Sequence, residues 1–463
     1  MNIPNIFRER DPTQGSIFKN ALSMTATLWI VTGLGIVVNL LNLFWLSKIG
    51  ERAIAAVAIG EISLMVMMVP IVGIITATVG LVGSFNRADQ PGLDRLVKQI
   101  LAFTFFTSVL LAIFGYFFAP ILIRFFGAES EVSSLAVSYL RINLIGGVIS
   151  FLFWPIGDMI RSTRDMLRPA VFTGLIFVLR SVFDSLLISG NLGFPEMGVV
   201  GAGLSLAGAT TIGALIGFFM LASGRLFIKI DLRKWRDFKI KFKTIKEIIA
   251  IAGFDTLEGL TRTIAGMAML AIVASFGTQV LTASSIGQRF LGYASMLGVD
   301  FGKTTAITVS NNLGVGDIRR AEKSGWIISG INVGILGILG LIFFIFAGQI
   351  IGIFSKDREI LTIGITYFRI TTLCGLGYVF FAAGQILQRA FAGAKDTKTP
   401  MLIYWIAIVL QLGLAFLLPK YWGLGINGVW IAILIGMIFY GLSLIVLFKI
   451  GYWKPKMQIK VSP

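Results

Sequence analysis

Twelve stretches of this chain are both apolar and long: 21–46, 53–84, 99–123, 133–160, 168–189, 198–224, 247–275, 281–312, 324–354, 360–391, 400–419 and 424–448. An α-helix crosses the hydrocarbon layer in about 20 residues. It pairs every backbone N–H and C=O within itself, which an open strand or a loop cannot do there. The runs are continuous rather than alternating, so a membrane barrel built of ~10-residue alternating strands is excluded. Charged residues are 14% of the 463, against a usual ~25%, too few to cover a soluble protein of this size. The 53 glycines suit helices that approach backbone to backbone. The fold expected is an all-α integral membrane protein of twelve transmembrane helices.

The chain has no histidine and one cysteine, Cys374, which removes whole classes of chemistry. Imidazole dyads, imidazole metal sites and histidine proton relays are excluded. So are an intrachain disulfide and a Cys-x-x-Cys redox pair. No Walker lysine motif and no Asp-rich metal cluster occurs, so no cofactor and no definite metal site is expected, and ATP-driven transport within this chain is disfavoured. The run Gly198-Val-Val-Gly201-Ala-Gly203 opens an apolar span with no strand before it; it reads as helix packing, not as a nucleotide loop. Met1–Asn20 is polar and the first apolar run is too long for a signal-peptide core, so no cleaved leader is expected.

The net charge of +17 is unevenly placed. Lys and Arg number 28 in the termini and even-numbered loops and 6 in the odd-numbered loops. Positive loops stay on the cytoplasmic side, which puts both termini and the basic middle loop there, in a multi-pass protein of the cell membrane. The basic excess is then topology plus contact with anionic lipid, and nucleic acid is not an expected partner. Segment 225–246 is read as an inter-lobe surface helix with Phe227, Ile230, Trp235 and Phe238 towards lipid.

The chain also repeats. Gly50 and Gly277 are 227 apart, as are Ile59-Gly60-Glu61 and Ile286-Gly287-Gln288, Gly198 and Gly425, and Gly201 and Gly428. Arg164-Asp165 with Pro169 matches Lys395-Asp396 with Pro400 at an offset of 231. Six spans per half give both halves the same orientation, a parallel repeat about an axis along the membrane normal. The organisation expected is an N-terminal segment 1–20, a six-helix lobe 21–224, the linker 225–246, a second six-helix lobe 247–448 and a tail 449–463, the two lobes pseudo-twofold related and enclosing a site.

A charge inside a span costs a few kcal/mol or more unless it faces a cavity or a partner. Arg180 and Asp184 stand at i, i+4 in the fifth span and can pair directly. Such a pair is either an ion or proton site tuned by the arginine or a self-neutralising brace between helices. In the seventh span Glu258 and Arg262 are again at i, i+4, and Asp255 lies one turn before Glu258, so that two acids crowd one face. Asp300 and Lys303 in the eighth span have Gly73 and Thr76 as their repeat counterparts, an asymmetry that suggests a role specific to the second lobe. Asn39, Asn42, Gln385 and Gln388 are polar groups that line a cleft or bond helix to helix. Glu61 and Gln288 are repeat-equivalent and either line an outer vestibule or anchor helices. Asp158 and Arg161 read as an ion pair at the cytoplasmic boundary.

Several segments, in order along nearly the whole chain, resemble the multidrug and toxic compound extrusion (MATE) family. They are Phe44-Trp-Leu-Ser-Lys-Ile-Gly50, Phe194-Pro-Glu-Met-Gly-Val-Val-Gly201, Ser310-Asn-Asn-Leu-Gly-Val-Gly-Asp317 with Arg320-Ala-Glu322, and Ala392-Gly-Ala-Lys-Asp-Thr-Lys-Thr-Pro-Met401. The resemblance implies two six-helix lobes, alternating access, and export coupled to a sodium or proton gradient, with cationic amphipathic molecules as typical substrates. Asp184 is similar to the family's fifth-span acid and Glu258 to its seventh-span glutamate. Asn42 stands where many members carry a first-span acid, Arg180 where an asparagine is usual, and Thr27 near the family's first-span proline.

The function expected is therefore a secondary antiporter, acting as a monomer among membrane lipids, that exports amphipathic and mainly cationic small molecules. Asp184, Arg180, Glu258 and Asn42 are expected to handle H⁺ or Na⁺, and Asn39, Arg262, Asp300, Lys303, Gln288 and Gln385 to line the substrate cleft. The cations Arg180, Arg262 and Lys303 also admit anionic or zwitterionic cargo. The alternatives are a flippase of lipid-linked oligosaccharides in the same superfamily and, from another class, a membrane-embedded transferase. The charge asymmetry makes a direct prediction: single cysteines near either terminus are labelled by impermeant reagents from the cytoplasmic side only, and labelling from outside intact cells would reverse the topology.

Overall fold

The computed structural model describes residues 11–86, 88–127, 129–224, 226–228, 230–231, 240–372 and 376–454. Among them there are helices and no strands: α1 (Ile17–Ile49), α2 (Glu51–Met67), α3 (Val69–Gly83), α4 (Gln90–Arg124), α5 (Ser130–Ser150), α6 (Phe153–Ser162), α7 (Leu167–Ser189), α8 (Gly198–Ala222), α9 (Phe242–Ala274), α10 (Thr278–Gly314), α11 (Ile318–Ile345), α12 (Ala347–Phe354), α13 (Arg358–Thr372), α14 (Leu376–Gly393), α15 (Lys398–Tyr421) and α16 (Gly425–Lys449). Twelve spans follow. Among the described residues nine segments are long and apolar enough to cross, counting α5 with α6 as one, and the bent pairs α2–α3 and α13–α14 bring the number to eleven. The twelfth is α10, 37 residues long, which carries Arg289, Asp300 and Lys303 and is too polar to stand among the eleven.

Local chemistry sets where the spans break. α2 and α3 meet at 48°, and Pro70 stands in the first turn of α3. Proline has no N–H, and its ring opposes the carbonyl four residues back. α1, by contrast, runs unbroken through Thr27, whose hydroxyl donates to Ser23 O (3.0 Å) in the preceding turn. Asp89 and Asp317 cap α4 and α11 through their carboxylates, accepting from Gly92 N (2.9 Å) and Arg320 N (2.8 Å), and so satisfy donors that a helix start leaves open.

The contacts divide the chain into two compact units. One contains Asp11 and Leu22–Thr256, and the other joins Pro12–Ala21 to Leu257–Pro463. The division falls inside α9. In the first unit Gly73 of α3 lets the start of α9 come close: a methyl there would lie 2.4 Å from Ala252 O. In the second unit Arg320 donates to the carbonyls of Pro12, Gln14 and Gly15 (3.2, 2.8 and 2.8 Å), which fixes the turn before α1.

The internal repeat is visible in backbone and packing. Gly50 and Gly277 precede α2 and α10 with φ of 131° and 114°; Gly198 and Gly425 both have φ 53°. Arg164 and Lys395 are both left-handed (φ 80° and 69°), and Asp165 and Asp396 each accept a backbone N–H three residues on (3.0 Å). Gly60 takes the ring of Tyr139 and Gly287 takes that of Tyr367, so closely that added methyls would lie 2.5 and 2.4 Å from ring carbons.

The segment after α8 corrects an expectation. Residues 226–228 and 230–231 are not helical. Leu226, Ile228 and Ile230 are buried in the first unit's core, and of the two described aromatic and aliphatic candidates for lipid contact only Phe227 is exposed. Trp235 and Phe238 lie outside the described residues. The segment is strapped down by polar contacts: Lys98, itself only 2% exposed, donates to Asp94 Oδ2 and Asp231 O (both 2.8 Å), and Asp231 N donates to Asp94 Oδ1 (3.0 Å). The chain after α16 does something similar. Trp453 stacks on Phe448 (4.9 Å between centroids), and Lys454 pairs with Glu322 (2.9 Å).

Tyr139 is 1% exposed and has no room to retreat. Gly60→Ala is therefore expected to cost about 1–3 kcal/mol, seen as a lower melting midpoint in detergent. Pairing it with Tyr139→Leu should restore part of the loss; a neutral Gly60→Ala would disprove the contact.

Candidate functional site

In the first unit, α1, α2, α5, α7 and α8 bring one ionic group together, buried except at Glu61. Its centre is Arg180 of α7. Nη1 donates to Asn39 Oδ1 of α1 (3.1 Å), Nη2 lies 3.8 Å from Glu61 Oε1 of α2, and Nε lies 4.0 Å from Asp184 Oδ2 one turn on. Ser205 of α8 donates to Arg180 O (3.0 Å) and so ties α7 to α8. Asp184 is fully buried, with Asn42 of α1 and Ser205 beside its carboxyl. Yet neither Asp184 oxygen, nor Asn42 Nδ2, nor Arg180 Nε has a hydrogen-bond partner in the protein. The group thus holds one guanidinium, two carboxyls and two amides, with acceptor and donor capacity unused. Glu61 belongs to it through its approach to Arg180, and Tyr139 adjoins Glu61.

In the second unit, α9, α14, α15 and α16 build another. Glu258 Oε1 accepts from Arg262 Nη2 (2.7 Å) and from Gln388 Nε2 of α14 (2.5 Å). Glu258 is nearly closed off, whereas the Arg262 side chain is about half exposed (4% and 51%). The Arg262 guanidinium carbon lies 4.8 Å over the ring of Tyr404 of α15. Tyr404 meets Tyr440 of α16 edge to face (5.6 Å), and the Tyr440 hydroxyl is buried without a partner. Trp405 donates to the Thr261 hydroxyl (3.0 Å), which holds α15 against α9.

The other expected residues are dispersed. Asp255 hydrogen-bonds Thr76 of α3 (2.9 Å), so it and Glu258 take partners from different helices. Asp300 is buried, with half-exposed Lys303 at 3.9 Å. Gln385 donates to Ser295 O (3.1 Å), while its Oε1 rests against Gly298 with no donor. Gln288 is exposed on α10. Asp158 and Arg161 form the expected i, i+3 pair (2.8 Å), buried at both ends. The sequence reading passed over Arg289, although a cation eleven residues into a span is a plain signal. It lines a cavity of about 510 Å³ with Thr282, Ser285, Phe290, Tyr293 and Phe354. Tyr404 and Tyr440 were also missed, because an aromatic residue in an apolar span carries no mark of its partner.

The Arg180 group makes a stability prediction. Removing one member of a buried ion pair typically costs about 3–5 kcal/mol, and removing both costs less. Arg180→Leu should lower the melting midpoint more than Arg180→Leu combined with Asp184→Leu. The reverse order would show that Asp184 does not depend on Arg180.

With the geometry in place, comparison with known proteins is informative. The MatE family model matches residues 28–186 and 256–417. The chain is 27% identical over 398 residues to the probable multidrug resistance protein NorM of Thermotoga maritima, which covers 85% of this chain and 83% of that protein. Among solved structures, a MATE transporter in a bent conformation superposes with a TM-score of 0.85 at 21% identity, over 95% of this chain and 96% of that one. A MOP superfamily transporter from Pyrococcus furiosus, described as having a binding pocket of reversed polarity, gives 0.83 at 20% identity, over 96% and 97%. Twelve helical spans, repeated sequence landmarks and a family match over most of the length lead to one conclusion: the chain belongs to the MatE family of membrane transporters.

Proposed function

We propose that the protein is a secondary active exporter of amphipathic small molecules, driven by an ion gradient and working by alternating access. The observation that carries this reading is the pair of ionisable groups held inside the spans, Arg180–Asp184–Glu61 and Glu258–Arg262. A structural brace needs its hydrogen bonds filled, because an open polar group in a low-dielectric interior is costly. Around Asp184 the contacts are loose, with Arg180 Nε at 4.0 Å and the Asn42 and Ser205 side chains beside its carboxyl, which suits a site that a proton or a hydrated ion enters and leaves. Such a ligand shifts a conformational balance only by its difference in affinity between the states.

Of the two coupling ions, the proton fits the first unit better. A sodium ion needs oxygen ligands without a competing charge nearby. Here the Arg180 guanidinium already stands within 4.0 Å of Asp184 and 3.8 Å of Glu61. Asn42, in place of an acid, also leaves one negative charge fewer to offset a metal ion. A second reading concerns cargo. Arg262 and Lys303 are half exposed and Arg289 is exposed, so the spans present accessible cations that would suit anionic or zwitterionic molecules, lipid-linked ones included.

Purified protein in liposomes tests this with pH and sodium gradients imposed separately and with cationic and anionic dyes. Export of a cationic dye should follow the pH gradient. Coupling energies between sites run about 1–3 kcal/mol, or about 5–150-fold, so Glu258→Gln or Asp184→Asn should reduce gradient-driven export by a factor in that range. Export unchanged in both variants would remove these residues from the mechanism. Faster movement of the anionic dye would favour the second reading.

A further inference from the structure

We infer that Arg262 is a tethered occupant of an organic-cation seat formed by Glu258, Tyr404 and Tyr440, and that a substrate cation binds there by displacing it. An acid at one end and an aromatic face at the side is the environment that recognises guanidinium and substituted ammonium groups. The Arg262 guanidinium has both: Glu258 Oε1 at 2.7 Å and the Tyr404 ring at 4.8 Å. The anion is anchored independently of it, since Gln388 donates to the same oxygen from α14 (2.5 Å). The aromatic wall is anchored too, by the Trp405–Thr261 hydrogen bond (3.0 Å) and by the edge-to-face contact with Tyr440 (5.6 Å).

Acid and wall are therefore held by other groups, while the cation between them is the exposed member. Its side chain is 51% exposed above a carboxylate that is 4% exposed. Removing the guanidinium uncovers a seat of matching chemistry rather than a hole in the core. The buried Tyr440 hydroxyl, which has no hydrogen-bond partner, gives the seat a polar group that the arginine does not use. That hydroxyl can accept from an ammonium N–H or donate to an ether or carbonyl of a larger ligand.

Competition follows from the tether. A guanidinium on the same helix, one turn from its acid, acts as a ligand at an effective concentration in the millimolar range or above. A free cation without further contacts cannot displace it. A cation that also carries an extended apolar or aromatic body can, because the body adds contacts the arginine lacks. Arg262 thus selects amphipathic cations over small hydrophilic ones such as methylammonium. The inference rests on the export reading only for this consequence; occupancy of the seat is measured without a gradient.

The test uses full-length protein in detergent, with methylguanidinium and ethidium as probes. Methylguanidinium should leave the melting midpoint of the wild type unchanged, raise that of Arg262→Ala saturably, and leave Arg262→Ala/Glu258→Gln unmoved. Ethidium should bind Arg262→Ala about tenfold more tightly than the wild type, the scale set by removing a tethered competitor, and Arg262→Ala/Tyr404→Leu should lose that gain. If Arg262→Ala folds only when methylguanidinium is present during extraction, the rescue supports the seat. Failure to rescue, or equal probe binding with and without Glu258, overturns it. Cation binding to Arg262→Ala without any gradient-driven export by the wild type would count against the export reading alone. Export by the wild type with no cation seat in Arg262→Ala would count against this inference alone.

Discussion

A charge inside hydrocarbon must be answered from within the protein, and the structure is arranged around that demand. In a span there is no bulk water to solvate a guanidinium or a carboxylate, so such a group must find a partner or a cavity within the protein. Arg180 collects Asn39, Glu61 and Asp184, and in doing so fixes α1, α2 and α7 to one another. Glu258 does the same for α9 and α14 through Gln388. The two groups differ in one respect that bears on function. The first keeps a fully buried carboxyl whose guanidinium partner stands back at 4.0 Å; the second keeps its acid hydrogen-bonded to a cation that is half exposed.

The scaffold that holds these groups relies on close backbone approach. Between helices in lipid the hydrophobic effect offers little, and packing and hydrogen bonds decide. Gly60 against Tyr139 and Gly287 against Tyr367 are the same solution used twice. In the first unit the contact stands next to the ionic group, since Glu61 follows Gly60 and Tyr139 adjoins Glu61. In the second, Gln288 follows Gly287 and is exposed. The repeat preserved the packing joint and let the polar residue beside it diverge. The same holds for the pair of positions Gly73 and Thr76: in the first unit they serve α9, and their counterparts Asp300 and Lys303 carry charge.

Much of this was legible in the sequence, for identifiable reasons. Span number follows from runs of apolar residues, and same-helix partners follow from the 3.6-residue period, so Arg180 with Asp184 and Glu258 with Arg262 could be paired from spacing alone. Partners on other helices could not. Periodicity gives the face of a residue but not the helix that face meets, so Gln388 at Glu258, Tyr404 beneath Arg262 and Glu61 beside Arg180 emerge only from the fold. The segment after α8 was misread for a related reason. Leu226, Ile228 and Ile230 share one face of an extended chain, but Phe227 between them makes an apolar run that, with the basic residues around it, suggests a lipid surface. The three apolar side chains go into the core, and Lys98 and Asp94 hold the backbone there.

α10 shows how polarity within a span carries information that hydropathy discards. It is the most polar of the twelve, legible as a span from its long run of mostly apolar residues but absent from the eleven that are apolar throughout a crossing length. A helix this polar is stable in a bilayer only if its charged face meets protein or water. Asp300 is buried, and Arg289 opens onto a cavity with aromatic walls. Asp300 has Lys303 at 3.9 Å on its own helix, and Asn311 and Asn312 are buried and hydrogen-bonded to carbonyls one turn back (both 2.8 Å). The polarity that lowers the hydropathy of α10 thus goes to a same-helix ion pair and to a cavity wall.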